Sequence, residues 1–327
     1  MITWHPTADF VNLKLRADFL KKTREFFASR RVLEVETPTL SAAAVNDPYM
    51  KVFSTIYSGP GKHYSKVLYL QTSPEFHMKR LLAAGSGCIY QVTRAFRDGE
   101  AGRYHNPEFT ILEWYRVGFD YHQLMDEVTE LVMQLVGDRI ELSGVEHLSY
   151  AELFNCHFNI NPHRTSVAEL ASCAMEWNLS IPETMDTNDP DPWLSLLLTH
   201  CIEPQLGLGK LTFIYDYPAS QAALARIRPD NPPISERFEL YINGIELANG
   251  FQELCDANEQ RLRFDAENIK RQSVGMPITP VDGRLLAALE SGMPECAGVA
   301  LGFDRLLMLA TGADSLVSVL TFPLDYA

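Results

Sequence analysis

Apolar residues recur along the chain with two different periods, and the switches between them mark the elements. Over residues 11–30, Val11, Leu15, Phe19 and Phe26 fall near one face of a helical turn with charges opposite, which predicts an amphipathic helix. Residues 32–40, VLEVETPTL, change to alternation, with Glu34 and Glu36 between apolar neighbours. Pro38 stops the run, so it reads as a short strand ending at an edge. A second strand, VLYLQ, gives way to Thr72, Ser73, Pro74 and Glu75, a helix-start sequence with proline near the first turn; the helix then runs from about 75 to 84. Residues 120–137 form another amphipathic helix, ended by Gly137.

From 143 to about 210 the pattern loosens into short helical stretches (SVAELASCAMEW, PWLSLLLTHCIEP) around a polar loop, and this region reads as an insertion. Order returns with the strand LTFIYDYP at 211–218, and alternation over 236–256. There Phe238, Leu240 and Ile242 alternate with Glu239 and Tyr241, and Asn243 with Gly244 predicts a tight hairpin turn. The return strand is expected to be interrupted at Asn249 and Gly250, where an interior glycine marks close approach of a ligand. The charged stretch 256–275 reads as a solvated surface helix. A glycine-rich strand, GVALG, then runs into Asp304, Arg305 and an apolar helix.

The stretch with most chemistry is 96–115, FRDGEAGRYHNPEFTILEWY. It reads as two strands around a polar loop of about ten residues, longer than the usual two to five. The loop holds two arginines, a histidine and two acids, the inventory for gripping a polyanion such as a nucleoside triphosphate; an ordinary surface hairpin is the alternative. Glu75, at a strand-to-helix junction, is either a binding residue or a complement to the helix dipole. Glu239, Glu246 and Glu253 lie on neighbouring strands. They suit Mg²⁺, which takes a few carboxylates plus substrate phosphates, or face solvent from a half-exposed sheet. Arg305 is placed to reach phosphate, and Gly302 to let a base or ribose lie against the backbone; a tightly packed corner is the alternative.

Composition narrows the class. A chain of 327 residues allows one large domain or two. A net charge of −14 without clustered Lys and Arg argues against a nucleic-acid partner. No apolar run reaches the length of a membrane span, and the N-terminus lacks signal-peptide character. The six cysteines show no CxxC spacing, the pattern of reduced thiols in a cytosolic protein, and the group of Cys156, His157 and His163 lacks a fourth ligand for zinc.

Five separated stretches, in order, resemble the catalytic core of class II aminoacyl-tRNA synthetases, and closely the lysyl branch. VLEVETPTL is similar to motif 1, FRDGEAGRYHNPEFTILEWY to motif 2 and GVALGFDRLLML to motif 3, with TSPEFHMKRLL and GIELANGFQEL between them. The resemblance implies an α+β fold, an antiparallel sheet of six to seven strands flanked by helices, and a homodimer formed through motif 1. It covers 1–327 as one catalytic domain with the helical insertion at about 143–210. Motif 1 begins near residue 32, so the N-terminal OB-fold anticodon reader of the tRNA-charging enzymes is absent. The closest resemblance is therefore to stand-alone paralogues that activate (R)-β-lysine with ATP and transfer it to a lysine side chain of elongation factor P, with no tRNA involved.

Roles follow from that resemblance. Arg97, His105 and Arg305 are the catalytic residues. Arg97 takes the α-phosphate and reacting carboxylate, and His105 and Arg305 the β/γ end. Phe109 stacks on adenine against Arg305. Asp98, Gly99, Asn106, Leu247 and Gly302 line the ATP site, and Glu239 and Glu246 hold Mg²⁺. The lysine-like substrate meets Ser73, Pro74, Glu75, Tyr115, Asn249, Glu253 and Ala300. Two positions depart from the family. Its motif 2 reads Arg-x-Glu, whereas here Arg97 is followed by Asp98, Gly99 and Glu100, so the glutamate is shifted by one or lost. Ala300 stands where the tRNA-charging lysyl enzymes have glycine, and one methyl discriminates substrates by about 1–3 kcal/mol. The rival readings are a truncated lysine-tRNA ligase, an asparagine synthetase A-like amidoligase and a catalytically dead regulator. An aspartate-like substrate would call for an extra cation, which Glu253 argues against.

Overall fold

The computed structural model describes residues 4–61 and 64–327. In chain order its elements are α1 (Phe10–Ser29), β1 (Leu33–Glu34), β2 (Leu40–Ser41), β3 (Ser54–Ile56), β4 (Val67–Leu70), α2 (Glu75–Ala83), β5 (Ile89–Phe96), β6 (Glu108–Val117) and α3 (Tyr121–Val136). Then come β7 (Val145–Ser149), α4 (Tyr150–Phe158), α5 (Val167–Glu176), α6 (Pro190–Leu197), β8 (Leu211–Pro218), β9 (Ile227–Arg228), β10 (Ile234–Ile242) and β11 (Ile245–Gln252). The last are α7 (Ala257–Ser273), α8 (Gly283–Glu290), β12 (Cys296–Gly302) and α9 (Phe303–Thr311). Two compact units divide them: residues 1–119, 131–140 and 255–327 form the first, and 120–130 with 141–254 the second.

In the first unit, β5 pairs antiparallel with β6, β6 antiparallel with β12, and β1 parallel with β5. A smaller antiparallel sheet has the order β2-β4-β3. The helix α1 explains which face of β6 is closed. Leu15, Phe19, Phe26 and Phe27 are buried, and Phe27 stacks on Tyr90 at 4.3 Å and meets Trp114 edge-on at 5.4 Å. Burying side chains of this size contributes about 1.5–3 kcal/mol each, so the Thr110, Leu112 and Trp114 face of β6 is committed to packing. The alternate residues, Phe109, Ile111, Glu113 and Tyr115, are thereby directed to the opposite face. Val11, expected on the apolar face of α1, is 72% exposed.

In the second unit, β8 pairs parallel with β7 and antiparallel with β10, and β10 turns into β11. Asn243 and Gly244 both have positive φ, 50° and 72°, the turn that alternation predicted. Capping boxes start α4 (Ser149 with Glu152) and α5 (Ser166 with Glu169). Tyr150, Phe154, Leu170, Trp193 and Leu197 then pack into one cluster with Ile214 and Tyr217 of β8. The loosely patterned 143–210 region thus holds a strand and a helix, β7 and α4, besides the two helices read from sequence.

The α+β class is as the resemblance implies, while several local expectations are corrected. The pairings β1–β5 and β7–β8 are parallel, so the strands are not uniformly antiparallel. In VLEVETPTL just Leu33, Glu34 and Leu40 enter strands, and Pro38 between them has no N–H to give a ladder. The strand β11 runs unbroken through Asn249 and Gly250, which pair with Glu239 and Phe238. The helix α7 is not wholly solvated: Phe264 is buried, and the buried Arg271 guanidinium donates to the carbonyls of Asp47, Met50 and Pro277. Among the described residues, no helix is long and apolar enough to cross a membrane.

Candidate active site

In the first unit the loop between β5 and β6 is held at both ends. The Arg97 amide donates to the Pro107 carbonyl at 2.9 Å, and the Asp98 amide to Lys51 at 3.1 Å. Gly99 sits at φ +82° with no atom nearer than 4.0 Å to where a Cβ would lie. Backbone conformation, not crowding, therefore selects glycine there. Glu100 follows, its Oε1 3.6 Å from Arg97 Nη1, so the shifted glutamate still meets the loop's first arginine. The Arg97 guanidinium lies over the Phe109 ring at 5.1 Å, and its buried Nε donates to no protein atom. A buried guanidinium N–H without a partner is costly, and a ligand oxygen would satisfy it.

At the strand-to-helix corner, the Arg305 Nε donates to the Tyr104 carbonyl at 3.2 Å and its Nη2 to His105 Nε2 at 2.8 Å. Accepting that bond makes His105 a neutral imidazole. Desolvation, then the adjacent Arg305 charge, holds its pKa below the usual range. The buried Asp304 fixes this corner by accepting from the Thr110 amide at 2.6 Å and from Arg16 at 2.5 Å. Arg97, Arg305 and His105 are therefore brought to one loop. The Arg97 guanidinium covers Phe109. Asn106 uses its amide internally, donating to the Glu108 carbonyl at 2.6 Å and accepting from the Leu324 amide at 3.2 Å.

Beside this grip is a carboxylate that sequence reasoning missed. Glu113, 2% exposed, accepts from Ser73 Oγ at 2.9 Å and from the Tyr115 hydroxyl at 2.7 Å, and its cross-strand neighbour is Ala300. The signal was present: an acid inside the apolar run ILEWY has to be paired when buried. Ser73 also accepts from the Glu75 amide at 3.0 Å, starting α2 after Pro74, and Glu75 pairs with the buried Lys79 at 2.6 Å. Gly302 is the residue before α9 and lies across from Ile111, leaving backbone rather than side chain at that edge.

Near Glu75, burial, then the charge of Asp47, pushes Glu267 up to about 7. Its native pKa exceeds the unfolded value, so between pH 4.5 and 7 the native state holds the extra proton, and stability falls as pH rises through that window. Glu267→Gln is expected to raise the thermal midpoint at pH 8 by the equivalent of at most about 3 kcal/mol and to leave it nearly unchanged at pH 4, measured by thermal melts at both pH values.

In the second unit, Glu239 on β10 is 7% exposed. Its Oε2 accepts from the Tyr217 and Tyr241 hydroxyls at 2.6 and 2.7 Å, and its Oε1 pairs with Arg237 at 2.5 Å. Burial, then the neighbouring Glu239 and Glu246 charges, pushes Glu203 up to about 7, a sign that these carboxylates repel one another. Among the described residues no three His, Cys, Asp or Glu side chains form a metal cage. Both Glu239 oxygens are thus engaged by Arg237 and the two tyrosine hydroxyls, which does not fit an Mg²⁺ ligand, and of the expected pair Glu246 remains. Leu247 is buried, Asn249 Oδ1 accepts from Arg237 at 3.3 Å, and Glu253 is 1% exposed beside Ala225.

Comparison with known proteins agrees with this chemistry. The family model for class II tRNA synthetases (D, K and N) matches residues 8–326. A Vibrio cholerae protein named elongation factor P–(R)-β-lysine ligase is 52% identical over 325 residues, covering 99% of this chain and 98% of the relative. Proteins of the same name from Klebsiella pneumoniae and Yersinia pestis are each 50% identical over 326 residues, with the same coverage.

Proposed function

The chain belongs to the class II tRNA synthetase family of the D, K and N type, and from that membership we propose that it is an ATP-dependent (R)-β-lysine ligase acting on elongation factor P. The observation that carries this reading is similarity of 50–52% along essentially the whole chain to ligases of that name. The preformed Arg97, His105 and Arg305 grip supports the ATP-dependent part.

The reaction runs in two steps. The substrate carboxylate attacks the α-phosphorus of ATP, the bond to the β-phosphate bridge breaks, and pyrophosphate leaves. Arg97 neutralises charge on the α-phosphoryl and the incoming carboxylate, which otherwise repel, and Arg305 with neutral His105 holds the leaving end. Phe109 offers its ring to adenine, while Asp98, Gly99 and Gly302 shape the pocket around the nucleotide. Mg²⁺, which Glu246 would help to hold, would supply charge neutralisation on the phosphates. Glu75, Glu113 and Glu253 supply negative charge for a substrate with two ammonium groups, with Ser73, Pro74, Tyr115, Asn249 and Ala300 setting its fit. In the second step the neutral ε-amine of a lysine attacks the acyl carbonyl and AMP leaves. The departing phosphate can take the proton.

The two units are read as one catalytic domain. The protein is a cytoplasmic homodimer formed through the motif 1 segment, with no tRNA or membrane partner. Exchange of labelled pyrophosphate into ATP tests the first step. Exchange dependent on (R)-β-lysine, with α-lysine weaker, is the expected result. Exchange indifferent to the amino acid, or absent with β-lysine, would overturn the assignment.

A further inference from the structure

The loop between β5 and β6 carries a second arginine, Arg103, whose inventory suggests another phosphate ligand. Its side chain points elsewhere. Arg103 Nε donates to the Asp314 carbonyl at 2.5 Å and Nη2 to the Asp314 carboxylate at 3.1 Å. The contact is reciprocal, for the Leu316 amide donates back to the Arg103 carbonyl at 3.0 Å. Three residues on, the Leu324 amide donates to Asn106 Oδ1. Residues 314–324 thus cross the far side of the loop and bind it at two points, between which lie Tyr104 and His105.

The same segment is anchored away from the loop. Leu320 and Thr321 carbonyls accept from Thr7, the Ser318 carbonyl accepts from Asn12, and the Val319 carbonyl accepts from Arg16. Arg16 in turn pairs with Asp304, next to Arg305. One polar chain therefore runs from α1 through the C-terminal segment to both ends of the His105 turn. Packing contributes as well: Leu316, Val319 and Leu320 are buried, and an open pocket of about 310 Å³ lies against Leu320, Phe322 and Leu324.

We infer that Arg103 is a positioning residue: its clamp on Asp314 straps the loop in the shape that presents His105 and Arg97, so that ATP meets a preformed grip. Asn106 belongs to the same strap. The inference rests on the ligase reading for its kinetic consequence but not for its structural one.

Arg103 is exposed at its tip, so an ion pair alone would contribute little; the carbonyl bond and the ordered loop give the effect. For Arg103→Ala the expected result is a rise of about tenfold in KM for ATP in pyrophosphate exchange, with KM for β-lysine unchanged and the thermal midpoint unmoved. The Gly102 and Leu316 amides of the ligand-free protein should exchange with deuterium at least about tenfold faster. The charge reversal Arg103→Asp combined with Asp314→Arg should recover part of the ATP affinity. Unchanged exchange at Gly102 and Leu316 overturns the strap, whatever the protein's substrate. So does an equal change in the KM values for ATP and β-lysine, or a lowered thermal midpoint with no kinetic split. Wild-type protein inert toward β-lysine would instead overturn the ligase reading, leaving the deuterium result to judge the strap.

Discussion

Arg97→Ala abolishes adenylate formation: pyrophosphate exchange falls by about 10³-fold or more, while the thermal midpoint stays within a degree or two of wild type. The magnitude follows from what the residue does. Two anions, the amino-acid carboxylate and the α-phosphoryl, must approach to bonding distance, and removing one preorganised donor at such a centre typically costs about 10²–10³ in rate. Removing a full charge aimed at both anions costs more. Stability is insensitive because Arg97 makes few bonds at rest. Its nearest acid, Glu100, is 3.6 Å away, and its buried Nε bonds to no protein atom. Arg97→Lys should recover little, since a point charge cannot reproduce the planar fork over Phe109. A large fall in thermal midpoint, with exchange lost in proportion to unfolding, would show that Arg97 holds the loop together instead.

The second large effect is expected at Glu253. Its side chain is 1% exposed, and in the ligase reading its carboxylate meets a substrate ammonium out of reach of bulk water. Glu253→Gln keeps the shape and removes the charge, so KM for β-lysine should rise by about 10²-fold, the usual consequence of losing one partner of a buried ion pair. KM for ATP should hardly change. Steady-state pyrophosphate exchange separates the two constants. An unchanged KM for the amino acid would move the ammonium site to Glu75 and Glu113.

How much of this was legible in the sequence depends on the kind of signal. Helices with one apolar face, such as α3, and apolar strands bounded by turn residues, such as β8 and β10, were found nearly to the residue. In α3 local periodicity and burial agree, while β8 and β10 are buried on both faces and were found from their apolar content and turn signals. The strands β1 and β2 were overread because two-residue pairings leave no periodic trace, and β7 was missed because its five residues are half-exposed. Within the site, Arg97 and Arg305 stood out as cations at strand ends. Glu113 did not, because it hides within an apolar run and its role is visible once Ser73 and Tyr115 are seen donating to it. Arg103 was the opposite case: charge and loop position suggested phosphate, and Asp314, 211 residues away, claims it. Long-range polar pairing of this sort leaves no local pattern to read.

The departure at Gly99 becomes easier to understand in the structure. The left-handed backbone at φ +82° asks for glycine, and Glu100 takes the place beside Arg97. Motif 2 keeps an arginine with a nearby carboxylate, at a spacing one residue longer.

The central claim is that the chain charges a protein lysine with (R)-β-lysine. The most direct measurement is mass spectrometry of elongation factor P after incubation with the enzyme, ATP, Mg²⁺ and either (R)-β-lysine or α-lysine. The account predicts the mass gain of one β-lysyl group on a single lysine, dependent on ATP and lost with Arg97→Ala. An unmodified elongation factor P under conditions where pyrophosphate exchange proceeds, or acylation of tRNA in its place, would contradict it.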